Sequence, residues 1–347
     1  MSKNNRLIYV LIFILIAWLL ILSFRPSGSV SRQEIINEYT VSGFSTDFTK
    51  VVEDNSSSVV SVNADGAVLS GIIYQQDKEK VYVLSAYHGI EDAGNISVIL
   101  GSTYTIDAEL VGYDVFTDLA VLQLECPYQV APVRMGDATK LKKGEFVICI
   151  GTPVSLDYAG SVQLGMIADE RLTVENSISL NYETHEYYLD VIELSSALIP
   201  GYSGGPIMNM NGEVVGMNTM ALDDGISFAM TANEIKIVAD RIIASQELVK
   251  NSFEIKGTYI KEMPNYEKAN LNLDIQTISG LYAHKVLDGS LAAAAGVRPG
   301  DVVLKINDVA LEGLNSYLQV SYLPAETYIF EVLRNGETQL LSIENND

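Results

Sequence analysis

A chain of 347 residues has room for about two domains with cores of their own. Its 22 basic residues stand against 44 acidic ones, a net charge of −22 that repels a phosphate backbone and excludes nucleic acid as a partner. With 48% hydrophobic and 19% charged residues, the composition is that of a globular protein carrying an added apolar segment.

That segment comes first. Leu7 to Phe24 is an 18-residue run without a charge, and as a helix it would cover roughly 27 Å, close to the hydrocarbon core of a bilayer. Lys3 and Arg6 precede it and only Arg25 follows at once, so the positive-inside rule places the N-terminus in the cytoplasm and the rest of the chain outside. Residues 1–24 are therefore expected to form a cytoplasmic tip and transmembrane anchor, and the polar stretch 25–48, with Pro26, Gly28 and several serines, a tether. A cleaved signal peptide is the alternative, because Ser27-Gly28-Ser29 offers small residues to a peptidase. Against it, signal-peptide apolar cores usually run only about 7–15 residues.

Between Val59 and Gly216 the chain reads as strands: Val59 to Val62, Val81 to Leu84, Ile96 to Leu100, Ala120 to Leu124, Phe146 to Ile150 and Glu213 to Gly216. Asp65-Gly66, Gly136-Asp137 and Asn211-Gly212 punctuate them, the pattern of an all-β barrel or sandwich. One helix is expected over Ala232 to Ser245, with Ile235, Val238, Ala239 and Ile242 on one face. A second unit over 252–347 shows a short helix at Ser290 to Gly296, ended by its glycine, and strands at Asp301 to Ile306 and Tyr328 to Leu333. Cys126 and Cys149 lack metal-ligand spacing and lie in or beside strand-like runs, so they read as buried thiols, although an exported chain permits a disulfide.

Gly201-Tyr202-Ser203-Gly204-Gly205 fits two hydrolase patterns. A strand-to-helix nucleophile elbow needs a following helix and a downstream histidine. Here Asn211-Gly212 turns the chain soon after the serine, and the sole downstream histidine, His284, lies in the second unit. His88, after the strand Val81 to Ser85, and Asp118, before Leu119 to Leu124, instead give the order His, Asp, Ser. Two β-barrels facing one cleft use that order. His185 and His284 have no such surroundings and read as structural.

With these motifs in register, the chain resembles the HtrA/Deg family of serine proteases over most of its length beyond the anchor. The resemblance rests on Leu84-Ser-Ala-Tyr-His-Gly-Ile90, Phe116-Thr-Asp-Leu-Ala-Val-Leu122, Lys143 to Pro153, Gly201 to Pro206 and Gly216 to Thr219. The run Gly289 to Asn307 is similar to that family's PDZ domain. The resemblance implies a mainly β chain, with a chymotrypsin-like double β-barrel over 49–248 followed by a PDZ domain over 252–347. It implies His88, Asp118 and Ser203 as the catalytic triad and the N–H groups of Gly201 and Ser203 as the oxyanion hole. Ser227, Phe228 and Ala229 would line the specificity pocket, and Gly257, Thr258, Tyr259, Ile260 and Lys261 would form the PDZ carboxylate-binding loop. It also implies polypeptide substrates and peptide C-termini as partners, a homotrimer, and chemistry without metal or other cofactor. Lys261 falls where the family has glycine, Tyr202 where it has asparagine, and Ala86-Tyr87 where it has asparagines. A catalytically silent, membrane-tethered PDZ scaffold is the alternative function.

Overall fold

The computed structural model describes residues 48–345 except 102, 181–182, 198, 222–225, 247, 249 and 274–278. The apolar run Leu7 to Phe24 and the tether to residue 47 lie outside the described residues. Among the described residues no helix is long and apolar enough to cross a membrane.

After a short helix, α1 (Phe48–Asn55), six strands close the first barrel: β1 (Val59–Ala64), β2 (Ala67–Asp77), β3 (Lys80–Ala86), β4 (Ile96–Leu100), β5 (Tyr104–Asp114) and β6 (Leu119–Glu125). Their order around it is β1-β2-β3-β6-β5-β4. Asp65-Gly66 makes the β1–β2 hairpin, both residues taking positive φ as a tight two-residue turn demands. Val60, Val62, Ile73, Val83, Val98 and Leu122 fill the interior.

Seven further strands form the second sheet: β7 (Arg134–Met135), β8 (Phe146–Gly151), β9 (Ser161–Leu180), β10 (Glu183–Leu194), β11 (Pro206–Met208), β12 (Glu213–Ala221) and β13 (Ser227–Thr231). Because β11 pairs with both β8 and β12, this sheet also curls shut. The sequence runs account for β8 and for the start of β12, which continues five residues past Gly216. They miss the long β9–β10 hairpin, where the charged run Asp169-Glu170-Arg171 interrupts β9. The helix expected from Ala232 is α2 (Ala232–Ile243), N-capped by the Thr231 hydroxyl, which accepts from the Glu234 N–H. Cys126 and Cys149 are free and buried in different cores. Burial pushes the Cys149 thiol up to about 12, which leaves it protonated and inert.

The C-terminal domain is built on β14 (Ile255–Tyr259), β15 (Leu281–Val286), β16 (Val302–Ile306), β17 (Val309–Ala310), β18 (Thr327–Arg334) and β19 (Glu337–Glu344). The helices α3 (Asn265–Asn270), α4 (Leu291–Ala295) and α5 (Leu314–Ser321) complete it. The predicted Ser290 to Gly296 helix is α4, with Ser290 as N-cap and Gly296 left-handed at its end. Its core gathers Phe253, Tyr328, Phe330 and Val332.

A further core lies between the two barrels. Ile72, Leu84 and Val121 of the first meet Ile148, Met208 and Met230 of the second, and α2 seals them with Ile235, Val238 and Ile242. Leu314, Leu318 and Tyr322, on and just after α5, join the same cluster, so the C-terminal domain is packed into the double-barrel half rather than hung from it.

Candidate active site

His88 lies in a 3₁₀ turn, Tyr87–Gly89, that ends β3, and Asp118 sits one residue before β6. These strands are antiparallel neighbours with Ala86 opposite Leu119, so the pairing alone brings the two side chains together. Asp118 adopts φ 56°, a left-handed backbone unusual for a residue other than glycine. That turn aims its carboxylate at the histidine. Oδ2 lies 2.7 Å from His88 Nδ1, and Oδ1 accepts the His88 backbone N–H at 2.7 Å. The Asp118 carbonyl also accepts from Tyr87 N–H at 2.9 Å. Ring and backbone of His88 are thus held by one residue, which selects the tautomer with Nε2 free to accept a proton.

The hydrogen bond to Asp118 raises the His88 pKa above its ordinary 6.5; burial works the other way and the aspartate charge adds to the rise. A base must be neutral, so the acid limb of kcat/KM should titrate above 6.5, and Asp118→Asn should move that limb down while lowering the rate about 10⁴-fold. Stability runs oppositely: the charged pair stabilises the fold fully below 6.5, and that contribution fades as pH rises through the raised value. A pH series of reporter-peptide cleavage and of thermal unfolding checks both signs.

Ser203 comes from the second barrel, on the turn before β11, and is half-buried between the buried residues Gly201, Tyr202, Gly204 and Gly205. The loop presses on the first barrel: a Cβ at Gly204 would lie 2.3 Å from the Ser70 carbonyl and 2.7 Å from the Ala86 N, two residues before His88. Gly201 takes φ 100° against the segment Thr152 to Val154, where a Cβ would meet the Thr152 carbonyl at 2.3 Å. Only glycine fits there.

The carbonyls from Pro200 to Ser203 are all taken. Pro200 accepts from Val154 N–H at 3.0 Å, Gly201 from the Ser70 hydroxyl at 2.6 Å, Tyr202 from Gly205 N–H at 2.9 Å and Ser203 from Ser70 N–H at 2.9 Å. Peptide units are planar and trans, so pinning a carbonyl also aims the N–H across the same bond. The N–H groups of Gly201 and Ser203, the two predicted for the oxyanion hole, have no acceptor among the described residues. Tyr202, in place of the expected asparagine, buries its ring beside Cys149, Ile207 and Val215 and anchors the loop from beneath. Tyr87 likewise turns inward, its ring stacked on Tyr113 with centroids 4.0 Å apart.

Ser227, Phe228 and Ala229 are buried on β13 between β10 and β12, and none of the three is acidic. In the C-terminal domain, Gly257, Thr258 and Tyr259 pair with β15, and the Ile260 N–H donates to Gly280. Thr258 shares its hydroxyl with His284 Nε2 at 2.9 Å, which gives that histidine a structural partner. Lys261 lies across Gly313 at the start of α5. The free edge of β14 and the start of α5 line a cavity of about 1020 Å³, with Lys142, Lys143, Asp169 and Arg171 of the protease-like half on its other side. Arg171 bridges the two, bonded to Glu262 at 2.8 Å and placed 4.5 Å over the Tyr259 ring. Neither Ser70 nor Arg171 is singled out by the sequence motifs.

Two barrels with a histidine–aspartate clamp from one and a serine turn from the other define a trypsin-like peptidase fold. The profile of the trypsin-like peptidase domain matches residues 69–217, and that of the PDZ domain matches residues 284–323. Serine protease Do-like HtrA of Bacillus subtilis (strain 168) is 29% identical over 299 residues, covering 84% of this chain and 66% of that protein. Periplasmic pH-dependent serine endoprotease DegQ of Escherichia coli (strain K12) is 31% identical over 278 residues, 77% of this chain and 57% of that one. Among solved structures, the HtrA-type protease AlgW with tripeptide superposes with a TM-score of 0.59 at 25% identity, covering 85% of this chain and 95% of that one. The chain carries a trypsin-like peptidase domain followed by a PDZ domain and is similar to HtrA-type serine proteases, and it spans about two thirds or less of the length of these curated relatives.

Proposed function

We propose that this chain is a serine endopeptidase acting on misfolded or regulatory polypeptides outside the cytoplasm, tethered to the membrane by its N-terminal apolar run. The carrying observation is the serine loop: every carbonyl from Pro200 to Ser203 is bonded while the Gly201 and Ser203 N–H groups have no acceptor among the described residues, beside a clamped histidine. Ser203 would attack the scissile carbonyl as His88 Nε2 takes its proton. The two N–H groups would hold the oxyanion, and His88 would return the proton to the leaving amine. Acyl transfer by this route calls for no metal or nucleotide. A fluorophosphonate probe should label Ser203 in the parent and not in Ser203→Ala; a parent that stays unlabelled and leaves casein intact overturns the reading.

An acid-free Ser227-Phe228-Ala229 wall supports cleavage after small or medium aliphatic residues such as Val or Ala. A product map dominated by Lys or Arg would contradict it. The cavity along β14 supports binding of peptide C-termini, with regulation through the PDZ domain; AlgW structures hold a tripeptide and a decapeptide. Val162, Leu164 and Met166 form an exposed apolar row on β9 beside exposed Phe146, itself edge-on to Phe48, and this patch supports a homotrimer. Light scattering giving a monomer mass would remove that assignment. The tether is tested by extraction: a mature protein soluble without detergent and beginning near Val30 would mean a cleaved signal.

A further inference from the structure

Resting on the endopeptidase reading, we propose that Ser70 is a positioning residue for the acylation step: its hydroxyl, bridging Gly201 and Thr152, holds the oxyanion loop in its working orientation.

Ser70 lies on β2 in the first barrel, fully buried, and is 131 residues from Gly201. Its hydroxyl accepts the Thr152 N–H at 2.8 Å, and since Thr152 supplies the proton in that bond, the hydroxyl proton goes to the Gly201 carbonyl at 2.6 Å. Its backbone N–H donates to Ser203 and its carbonyl accepts the Ser85 hydroxyl at 2.8 Å. Three of its four polar contacts are spent in the contact between barrels and the fourth on Ser85 of the neighbouring strand β3; two of the three fall on the serine loop itself. The Gly201 carbonyl belongs to the peptide between the two oxyanion donors, so releasing it frees that peptide to rotate. A rotated central peptide misaims the N–H groups on both sides. The Thr152 arm has the same target. Thr152 leads into Val154, whose N–H fixes the Pro200 carbonyl, and the Thr152 side chain is held in turn by Ser61 at 2.6 Å. One hydroxyl therefore ties together both supports of the Gly201 N–H.

Such a role predicts a loss confined to charge stabilisation in the transition state. Ser70→Ala should lower kcat roughly 10- to 100-fold, with KM within about threefold, a smaller loss than the roughly 10²- to 10³-fold for removing a donor outright. Affinity for a peptide boronic acid, whose tetrahedral adduct places an oxygen in the hole, should fall by the same factor, while affinity for the cleaved product peptide stays put. Tyr74→Phe, which deletes a hydrogen bond to Asp240 far from the loop, is the control for general destabilisation and should keep the parent kcat. Parent-like kcat and boronate affinity in folded Ser70→Ala overturn the proposal, as does an equal loss in Tyr74→Phe. If Ser70→Ala does not fold, Ser70→Cys, close in size but a weak donor, takes its place, and parent-like kcat there is equally fatal. A parent that itself neither labels nor cleaves would instead refute the endopeptidase reading.

Discussion

Ser203→Ala should reduce casein cleavage about 10⁶-fold while leaving the thermal unfolding temperature unchanged. The side chain is small, half-exposed and not part of any core, so its hydroxyl can go without a cavity. What is lost is the nucleophile, and with it the purpose of the histidine clamp. His88→Ala and Asp118→Ala should therefore add almost nothing on the Ser203→Ala background, since the three act as one unit. The residual rate over water should be the contribution of the N–H groups of Gly201 and Ser203. Measuring the single and double variants on one reporter peptide tests this directly. Multiplicative losses would mean that His88 acts on something other than Ser203, and an active Ser203→Ala would move the nucleophile elsewhere.

The proposed triad is legible in the sequence because each member carries a local signature: an apolar strand before His88, another after Asp118, and a glycine cage around Ser203. The strands β1, β3, β6 and β8 are legible for a related reason, being largely buried on both faces and so rich in Val, Ile and Leu. By contrast β9 faces solvent on one side and its long outer stretch carries charge, which gives no such run. Ser70 has no signature at all: a serine on a strand is common, and its meaning comes from a contact that only the closure of two barrels creates. The PDZ loop falls between these cases. Gly257, Thr258 and Tyr259, read from the sequence as part of a loop, lie in strand β14, the Ile260 N–H is already bonded to Gly280, and Lys261 crosses to α5. A carboxylate there would have to be held by the remaining N–H groups of the turn and by the Lys261 ammonium.

Glu234→Ala should cost about 3–5 kcal/mol and loosen the C-terminal domain from the protease-like half. Glu234 begins α2 with its carboxylate almost fully buried. It accepts from Lys250 Nζ at 2.9 Å and from the Tyr322 hydroxyl at 2.7 Å. The three come from the protease-like half, the linker and the end of α5, so one carboxylate joins all the parts that would move in a domain swing. Burial disfavours the Lys250 charge, yet Glu234, helped by Asp114 and Glu254, outweighs it and pushes that ammonium up to about 12. Removing Glu234 strands the cation in a site that Tyr322 and the interdomain core close to water. Replacing both charges, as in Glu234→Leu with Lys250→Met, removes the stranded cation and should recover most of the loss. Differential scanning calorimetry separates the outcomes: one cooperative transition for the parent and the double variant, and for Glu234→Ala an earlier transition of the C-terminal domain. A single, unshifted transition in Glu234→Ala would mean that the domains are held by their other contacts, the apolar ones of Leu314, Leu318 and Tyr322 and the Arg171 bridge to Glu262 and Tyr259 among them. If the split appears, a peptide bound along β14 has a firm lever to work against. With α5 fixed on the protease-like half, strain in the cavity passes to its opposite wall, where Arg171 joins Glu262 and Tyr259 to β9, rather than being lost in free rotation of the domain.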